Sequence, residues 1–399
     1  MDQDNEEKIL EFWNKNKIFK KALAKRKDGK PFYFCDGPPY ANGELHAGHV
    51  WNYSLKDAVV KYRLLKGYRV YMRAGYDTHG LPIELHVEKE LGFKDKRDVE
   101  KYGVENFIKK CKTFVDRYIE SQTKGFQRLG VWMDFDDPYI TYANDYIEKC
   151  WPTLKKAWEA GLLINDYYVV PYCVSCQVPM ANVELEYSDI VDPSIYIKFK
   201  VEGKEKEYLI IWTTTPWTLI GNVAVMANPL IRYVKVKADD EVWIFAKDLM
   251  EKIEKISEKN FVVLEEFAGK ELTKLKYYHP FAEELEKDKT QPVVMSEEFV
   301  SAEDGSGLVH CAPGHGPEDY IIGKRYELPI FSPVGADGKY TKDAGKFAGK
   351  AVLKSSDEII SELKEKGALV KSEKITHSYP HCWRCKNKLI HTVSNQWFI

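Results

Sequence analysis

Between Asn5 and Lys25 apolar residues return at helical spacing (Ile9, Leu10, Trp13, Ile18, Phe19, Leu23) among lysines and glutamates. That period predicts an amphipathic helix. The next run, "PFYFCDG", reads as a buried strand ending at Gly37. After a loop, "HVWNYSLKDAVVKYRLLKG" returns to the helical period and closes at Gly67. "YRVYMRAGYD" reads as a second strand. Strand, loop, helix and strand in succession begin a parallel nucleotide-binding sheet. Helices with mixed charge and spaced aromatics are expected over most of Asp98 to Leu163.

Near Asp192 the pattern changes. Short strands follow one another to about Pro313: "SIYIKFKV", "YLIIWTT", "NVAVMA", "YVKVKA" and "VWIFA". The expected fold class is therefore α/β, an incomplete Rossmann-like parallel sheet with a β-rich unit inserted into it. The expected boundaries are 1–185 for the first helix and first half of the sheet, 186–375 for the insertion, and 376–399 for the return. "SNQWFI" at the end reads as a returning strand cut short, so a longer protein is expected.

The loop between the first strand and the long helix, "DGPPYANGELHAGHVWN", holds two prolines, three glycines and two histidines. A loop that leaves a parallel strand and enters a helix gathers backbone N–H groups and the positive helix end at one point, a natural seat for phosphate. Gly43 and Gly48 allow close approach. His46 and His49, three apart at the helix start, are placed to stabilise charge building on a phosphorus centre. A proline-rich turn with a histidine cap is the plainer reading, and the strand before and helix after argue against it.

Two further stretches carry candidate chemistry. "WTTTPWTLIGNVAV", Trp212 to Val225, puts three threonines ahead of a Pro-Trp turn, which suits a compact hydroxyl-lined site but equally a β-branched strand. "GSGLVHCAPGHGPEDY", Gly305 to Tyr320, is a glycine-rich loop running into a helix, with His310 and Asp319 in it. Of eight cysteines, four form two C-x-x-C pairs, Cys173/Cys176 and Cys382/Cys385. Each turn aims two thiolates at one point, and four complete a closed tetrahedral site for structural Zn²⁺. Neither pair follows a strand and opens a helix, as redox chemistry prefers.

Composition narrows the class further. With 30 % charged and 44 % hydrophobic residues the chain is of globular type, and 399 residues leave room for two or three domains. A net charge of −2 does not advertise a nucleic-acid partner, though it leaves room for a local basic face. No apolar run approaches the roughly 18 residues of a membrane span, and the acidic start is neither signal nor transit peptide, so no membrane partner and a cytoplasmic location are expected. No feature speaks to oligomeric state.

"PPYANGELHAGH" resembles the HIGH signature of the class I aminoacyl-tRNA synthetases, in the form found in isoleucyl enzymes. "AGYDTHGLPIE" and "RLGVWMDFDDPY" are similar to the second and third segments of those enzymes, and the likeness covers essentially the whole chain. The resemblance implies ATP, with Mg²⁺, as a substrate, and isoleucine tRNA, isoleucine and valine as partners. It puts His46, Gly48 and His49 at the ATP phosphates and adenine, Pro39 and Tyr40 along the amino-acid pocket, and Asp77 on the substrate ammonium. Ala47 stands where the signature has isoleucine, and Tyr76 replaces a commoner tryptophan.

The same resemblance makes the insertion an editing domain. Isoleucine and valine differ by one methylene, which an apolar pocket resolves by only about 1–3 kcal/mol, a general figure for which this pair is itself the known case. A second pocket that hydrolyses what fits would complete the discrimination. There the resemblance implies Asp319 on the ammonium, Thr213, Thr214, Thr215 and Asn222 on the ester and terminal ribose, and His310 placing water or side chain. Positioning and oxyanion support would supply the rate.

The second class I signature, KMSKS, and an anticodon-binding region are absent, so full aminoacylation is not expected of this chain alone. A valyl enzyme is the alternative within the family, and "GYDTHGLPIE" argues against it. Another HIGH-type nucleotidyltransferase would lack the β insertion. A zinc-ribbon RNA-binding module would fit "HCWRCKNK" but leave the HIGH loop unexplained.

Overall fold

Two departures from the expected pattern come first in the chain. In the computed structural model, which describes residues 3–93, 96–285 and 290–399, the amphipathic stretch is two helices, α1 (Gln3–Lys15) and α2 (Ile18–Ala24). Lys17 between them is left-handed at φ 51°, which stops the helix while the apolar spacing continues across the break. The expected buried strand is short: β1 (Pro31–Tyr33) alternates exposed and half-buried positions, with Tyr33 exposed. One of its faces meets the core and the other lines an 840 Å³ cavity, the pattern of a strand covered on one side.

Contacts divide the chain into two units, 1–163 and 164–399. In the first, α3 (Ala47–Leu65) is followed by β2 (Arg69–Tyr71) and β3 (Arg73–Tyr76), so the single strand expected from Tyr68 to Asp77 is two. Next come α4 (Leu81–Leu91), α5 (Arg97–Tyr102), α6 (Val104–Arg128), β4 (Asp134–Ile140) and α7 (Asn144–Glu159). β1 pairs with β2 and β3 with β4, both parallel. The parallel sense is as expected; instead of one sheet there are two short pairs among the described residues. Tyr53, Val60 and Leu64 on one face of α3 pack with Met72, Ala74 and Tyr76 of the strand region and Phe126 of α6.

The second unit is mostly strand. β5 (Ile164–Cys173), β6 (Val178–Pro179), β7 (Leu185–Lys200), β8 (Glu207–Thr213), β9 (Ala224–Ala227), β10 (Arg232–Ala238) and β11 (Glu241–Ala246) lead to α8 (Met250–Ser257). β12 (Phe261–Ala268), β13 (Lys276–Tyr278), α9 (Ala282–Leu285), β14 (Thr290–Met295), β15 (Leu308–Cys311), α10 (Pro317–Arg325), α11 (Ser356–Glu365), β16 (Leu369–Cys382) and β17 (Ile390–Phe398) complete it. Ten strands form one mixed sheet, ordered β12-β10-β11-β8-β15-β9-β14-β13, with β7 joined to β8 and β16 to β7. Its core is built from Ile195, Ile197, Leu209, Ile211, Trp243 and Phe245, with α11 adding Ile359 and Leu363. The long antiparallel ribbon β7/β16 extends from it, pairing Leu185 with Cys382, while β5 and β17 form a second ribbon in a separate three-stranded sheet with β6, pairing Tyr172 with Ile390.

Candidate functional site

The proline-glycine loop is held at several points. Asp36, its side chain fully buried, accepts from Tyr53 Oη and pairs with Lys56 Nζ, both on α3. Tyr139 Oη donates to the Asp36 carbonyl at 2.7 Å. Gln122 of α6, also fully buried, donates through Nε2 to the carbonyls of Tyr40 and Gly43, each at 2.9 Å. His46 is the N-cap of α3: its Nδ1 accepts from Gly48 N–H at 3.1 Å, while His49 Nδ1 accepts from His46 N–H at 3.4 Å. The two rings stack with centroids 3.9 Å apart. Partial burial, then His46 and Lys56, lowers the His49 pKa, so the ring favours its neutral form.

Pro39, Tyr40 and Asp77 are brought together through their backbones. Asp77 N–H donates to the Pro39 carbonyl at 2.9 Å, and Ala41 N–H donates to the Asp77 carbonyl at 2.8 Å. The Asp77 carboxylate is half-buried, with Thr141 Oγ1 at 3.4 Å from its Oδ1.

In the second unit the threonine segment and the glycine-rich loop lie side by side, because β15 runs parallel to β8 with Val309 opposite Trp212. Thr213 Oγ1 accepts from Thr215 N–H at 3.1 Å and lies 3.4 Å from Thr215 Oγ1. Thr215 Oγ1 is 3.3 Å from Thr218 Oγ1, which lies 3.0 Å from His310 Nε2. Thr214 and Thr215 border a small 30 Å³ hollow. Burial takes the His310 pKa down to about 4, so the ring is neutral, and its buried Nδ1 has no hydrogen-bond partner.

Asp319 sits in the first turn of α10 and accepts from Ala312 N–H at 2.9 Å. Burial nonetheless raises its pKa to about 6. Gly316 makes this approach possible, since a Cβ there would fall 2.6 Å from Asp319 Oδ2. Asn222 is fully buried: its Nδ2 donates to the Ala224 carbonyl at 2.8 Å and its Oδ1 accepts from Tyr277 Oη at 2.6 Å, so its amide is used within the fold. His315 is buried too, its Nδ1 3.1 Å from the His391 carbonyl and its ring edge-on to Trp217.

The four paired cysteines converge where the two ribbons end. Their sulfurs all lie within 4.8 Å of one another. A tetrahedral ion with Zn–S bonds of about 2.3 Å needs sulfurs ~3.8 Å apart, so the cluster fits a metal with little adjustment. The two knuckles share a backbone device: Gln177 and Lys386, each directly after the second cysteine of its pair, are left-handed at φ 55° and 61°. Cys176 N–H donates to Cys173 Sγ at 3.4 Å. Hydrogen bonding from Cys176 and the local backbone, opposed by burial, holds the Cys173 thiol below its ordinary range, while the same contact raises that of Cys176.

A match to the tRNA synthetases class I (I, L, M and V) spans residues 8–399. The chain belongs to that family. Among curated relatives, an isoleucine–tRNA ligase of Pyrococcus horikoshii is 49 % identical over 99 % of this chain. Those of Sulfolobus acidocaldarius and Methanocaldococcus jannaschii are each 45 % identical over 99 % of it. The chain spans about 38–40 % of the length of these relatives.

Within this class I chain, three residues near the candidate sites carried little or no signal in the pattern: Gln122, Thr141 and Thr218. Each acts across a long sequence separation, 82 positions from Gln122 to Tyr40, 64 from Thr141 to Asp77 and 92 from Thr218 to His310. Gln122 gave one weak hint, a polar residue on the apolar face of an amphipathic helix.

Proposed function

We propose that this chain is the part of an isoleucine–tRNA ligase that carries the first half of the isoleucine-activating site and an editing domain for valine attached to isoleucine tRNA. The observation that carries the reading is the pairing of a strand–HIGH loop–helix with Asp77 on one unit and a threonine–His310–Asp319 cluster on the other. Identity of 45–49 % to isoleucine–tRNA ligases over the same span supports the choice of amino acid. The first unit would hold half of a Rossmann-like sheet, residues 186–375 would be the editing insertion, and the four cysteines a zinc knuckle.

In the activation half, the exposed N-terminus of α3 with His46, Gly48 and His49 would receive the phosphates of Mg²⁺-ATP. Asp77 would take the isoleucine ammonium, with Pro39 and Tyr40 beside it. Holding the carboxylate of the amino acid in line with the α-phosphorus is chiefly a matter of positioning. In the editing half, ionised Asp319 would hold the valyl ammonium and Thr213–Thr215 would surround the ester. Neutral His310 would orient water through its vacant Nδ1. Asn222, committed to Ala224 and Tyr277, would support the loop from behind. The four cysteines would hold Zn²⁺, which supplies structural cross-linking at the base of the ribbons. Among the described residues no helix is long and apolar enough to cross a membrane. Work on tRNA would place the protein in the cytoplasm.

The test is deacylation. The chain is incubated with valine and with isoleucine esterified to isoleucine tRNA, and with threonine on valine tRNA, alongside Asp319→Ala. Release of valine alone, abolished by the substitution, is the expected result. Release of threonine from valine tRNA instead would replace the reading with a valyl enzyme.

A further inference from the structure

We infer that Thr141 is a positioning residue for the isoleucine-activating site, its hydroxyl acting as the hinge pin on which the Asp77 carboxylate is set; this rests on the proposed role of Asp77. The geometry follows from where the strands end. β3 and β4 run parallel with Tyr76 opposite Ile140, and Thr141 N–H still donates to the Tyr76 carbonyl at 3.2 Å. One residue further the ladder stops and side chains take over. Thr141 Oγ1 accepts the Thr78 N–H at 3.0 Å, and Thr78 Oγ1 accepts the Tyr142 N–H at 2.9 Å. Asp77 lies between, its backbone tied on the other side to Pro39 and Ala41.

The hydroxyl of Thr141 is buried and has four neighbours: Thr78 N–H, Thr78 Oγ1 at 3.1 Å, His79 Nδ1 at 2.9 Å and Asp77 Oδ1 at 3.4 Å. A hydroxyl offers one proton and two lone pairs. Thr78 N–H fills one lone pair. Thr78 Oγ1 accepts from Tyr142 and keeps its own proton free to donate to Thr141, which in that arrangement fills the second. With His79 in its Nε2–H tautomer, the single Thr141 proton then faces two acceptors, the Asp77 carboxylate and His79 Nδ1. With no substrate it steadies the carboxylate; when an ammonium occupies Asp77 it turns to His79, and no buried donor is stranded. Asp77 is thus held in orientation without being neutralised or permanently occupied.

Thr141→Val keeps the shape and removes the whole hydroxyl, the proton and the acceptor of the Thr78 N–H together, whereas Thr141→Ser keeps both. Both are made in the full-length protein and assayed by isoleucine-dependent ATP–pyrophosphate exchange. The expected result for Thr141→Val is a rise of roughly ten-fold in the KM for isoleucine, the scale of one hydrogen bond to a charged group. The KM for ATP should stay unchanged, and Thr141→Ser should restore the isoleucine KM to within about two-fold. Should Thr141→Val fail to fold, Thr141→Ala, which leaves room for a water, is compared with Thr141→Ser in the same way. Equal changes in both KM values, no change in either, or no rescue by serine overturns the positioning role while unsubstituted enzyme still exchanges. Absence of isoleucine-dependent exchange in the unsubstituted full-length protein overturns the functional reading, and this inference with it.

Discussion

Replacing Asp319 by asparagine should stabilise the second unit at neutral pH while removing the proposed hydrolytic activity. Burial raises this carboxyl from the ordinary 3.8 to about 6, so the folded protein holds an ionised group it disfavours. A rise of that size corresponds to roughly 3 kcal/mol, taken as an upper bound. The sign follows from proton linkage. Between the two values the native state binds more protons than the unfolded chain, so stability rises as pH falls from about 6 toward 3.8. The penalty is full above pH 6, falls to about half at pH 5 and vanishes below the unfolded value. Asparagine keeps an oxygen for the Ala312 N–H and carries no charge to bury. For a unit of this size ~3 kcal/mol corresponds to roughly 6–12 °C in Tm. Calorimetric melting of both proteins at pH 8 and pH 5 measures it: Asp319→Asn should melt higher at pH 8, with about half that gap at pH 5. A variant that melts lower at pH 8, or a gap that does not shrink on acidification, would refute the reasoning. Gain in stability with loss of activity is the signature of a group kept for function.

His310 has the opposite linkage: its pKa is lowered to about 4, so the unfolded chain takes up the proton first and stability is lost as pH falls from 6.5 toward 4. His310→Gln should flatten that acid-side loss, seen as a smaller drop in Tm between pH 7 and pH 5. Gln122→Ala strands two loop carbonyls and should lower the stability of the first unit by about 1–3 kcal/mol in urea unfolding. Cobalt added to the metal-free chain should give the intense visible bands of a tetrahedral thiolate site, lost in Cys382→Ser, and a chelator should lower the melting temperature. Gly345→Ala would set a Cβ 1.7 Å from the Glu284 carbonyl oxygen at φ 54°, so it should cost at least about 2 kcal/mol by thermal melting.

Local patterns proved reliable where one face of an element meets one core. Tyr53, Val60 and Leu64 declare the buried face of α3, and the continuous apolar run in "YLIIWTT" matches a strand covered on both faces, where Leu209, Ile210 and Ile211 are all buried. The C-x-x-C spacing anticipated the convergence of four sulfurs, since the chemistry of thiolates admits few other reasons to group them. What stayed hidden depends on partners far along the chain. "PFYFCDG" has the composition of a buried strand, yet Tyr33 faces a cavity. The break at Lys17 leaves no mark in the helical period. Asn222 looked like a ligand-facing amide until Tyr277 and Ala224 claimed both of its ends. Thr141 is an ordinary strand-end threonine until the third dimension sets it beside Asp77.

The cysteine cluster also constrains the order of events during synthesis. Cys173 and Cys385 stand 212 residues apart, and everything between them is translated before the second knuckle exists. At the usual pace of the ribosome that interval lasts about 10–40 s. Throughout it Cys173 and Cys176 stand without the two thiols that join them in the folded chain. The long sheet, whose strands all lie within the interval, has time to fold before the knot at its base is tied. Closure of the cluster is thus a late, checkable milestone of the nascent chain, reported by the moment at which its thiols stop reacting with a soluble alkylating reagent.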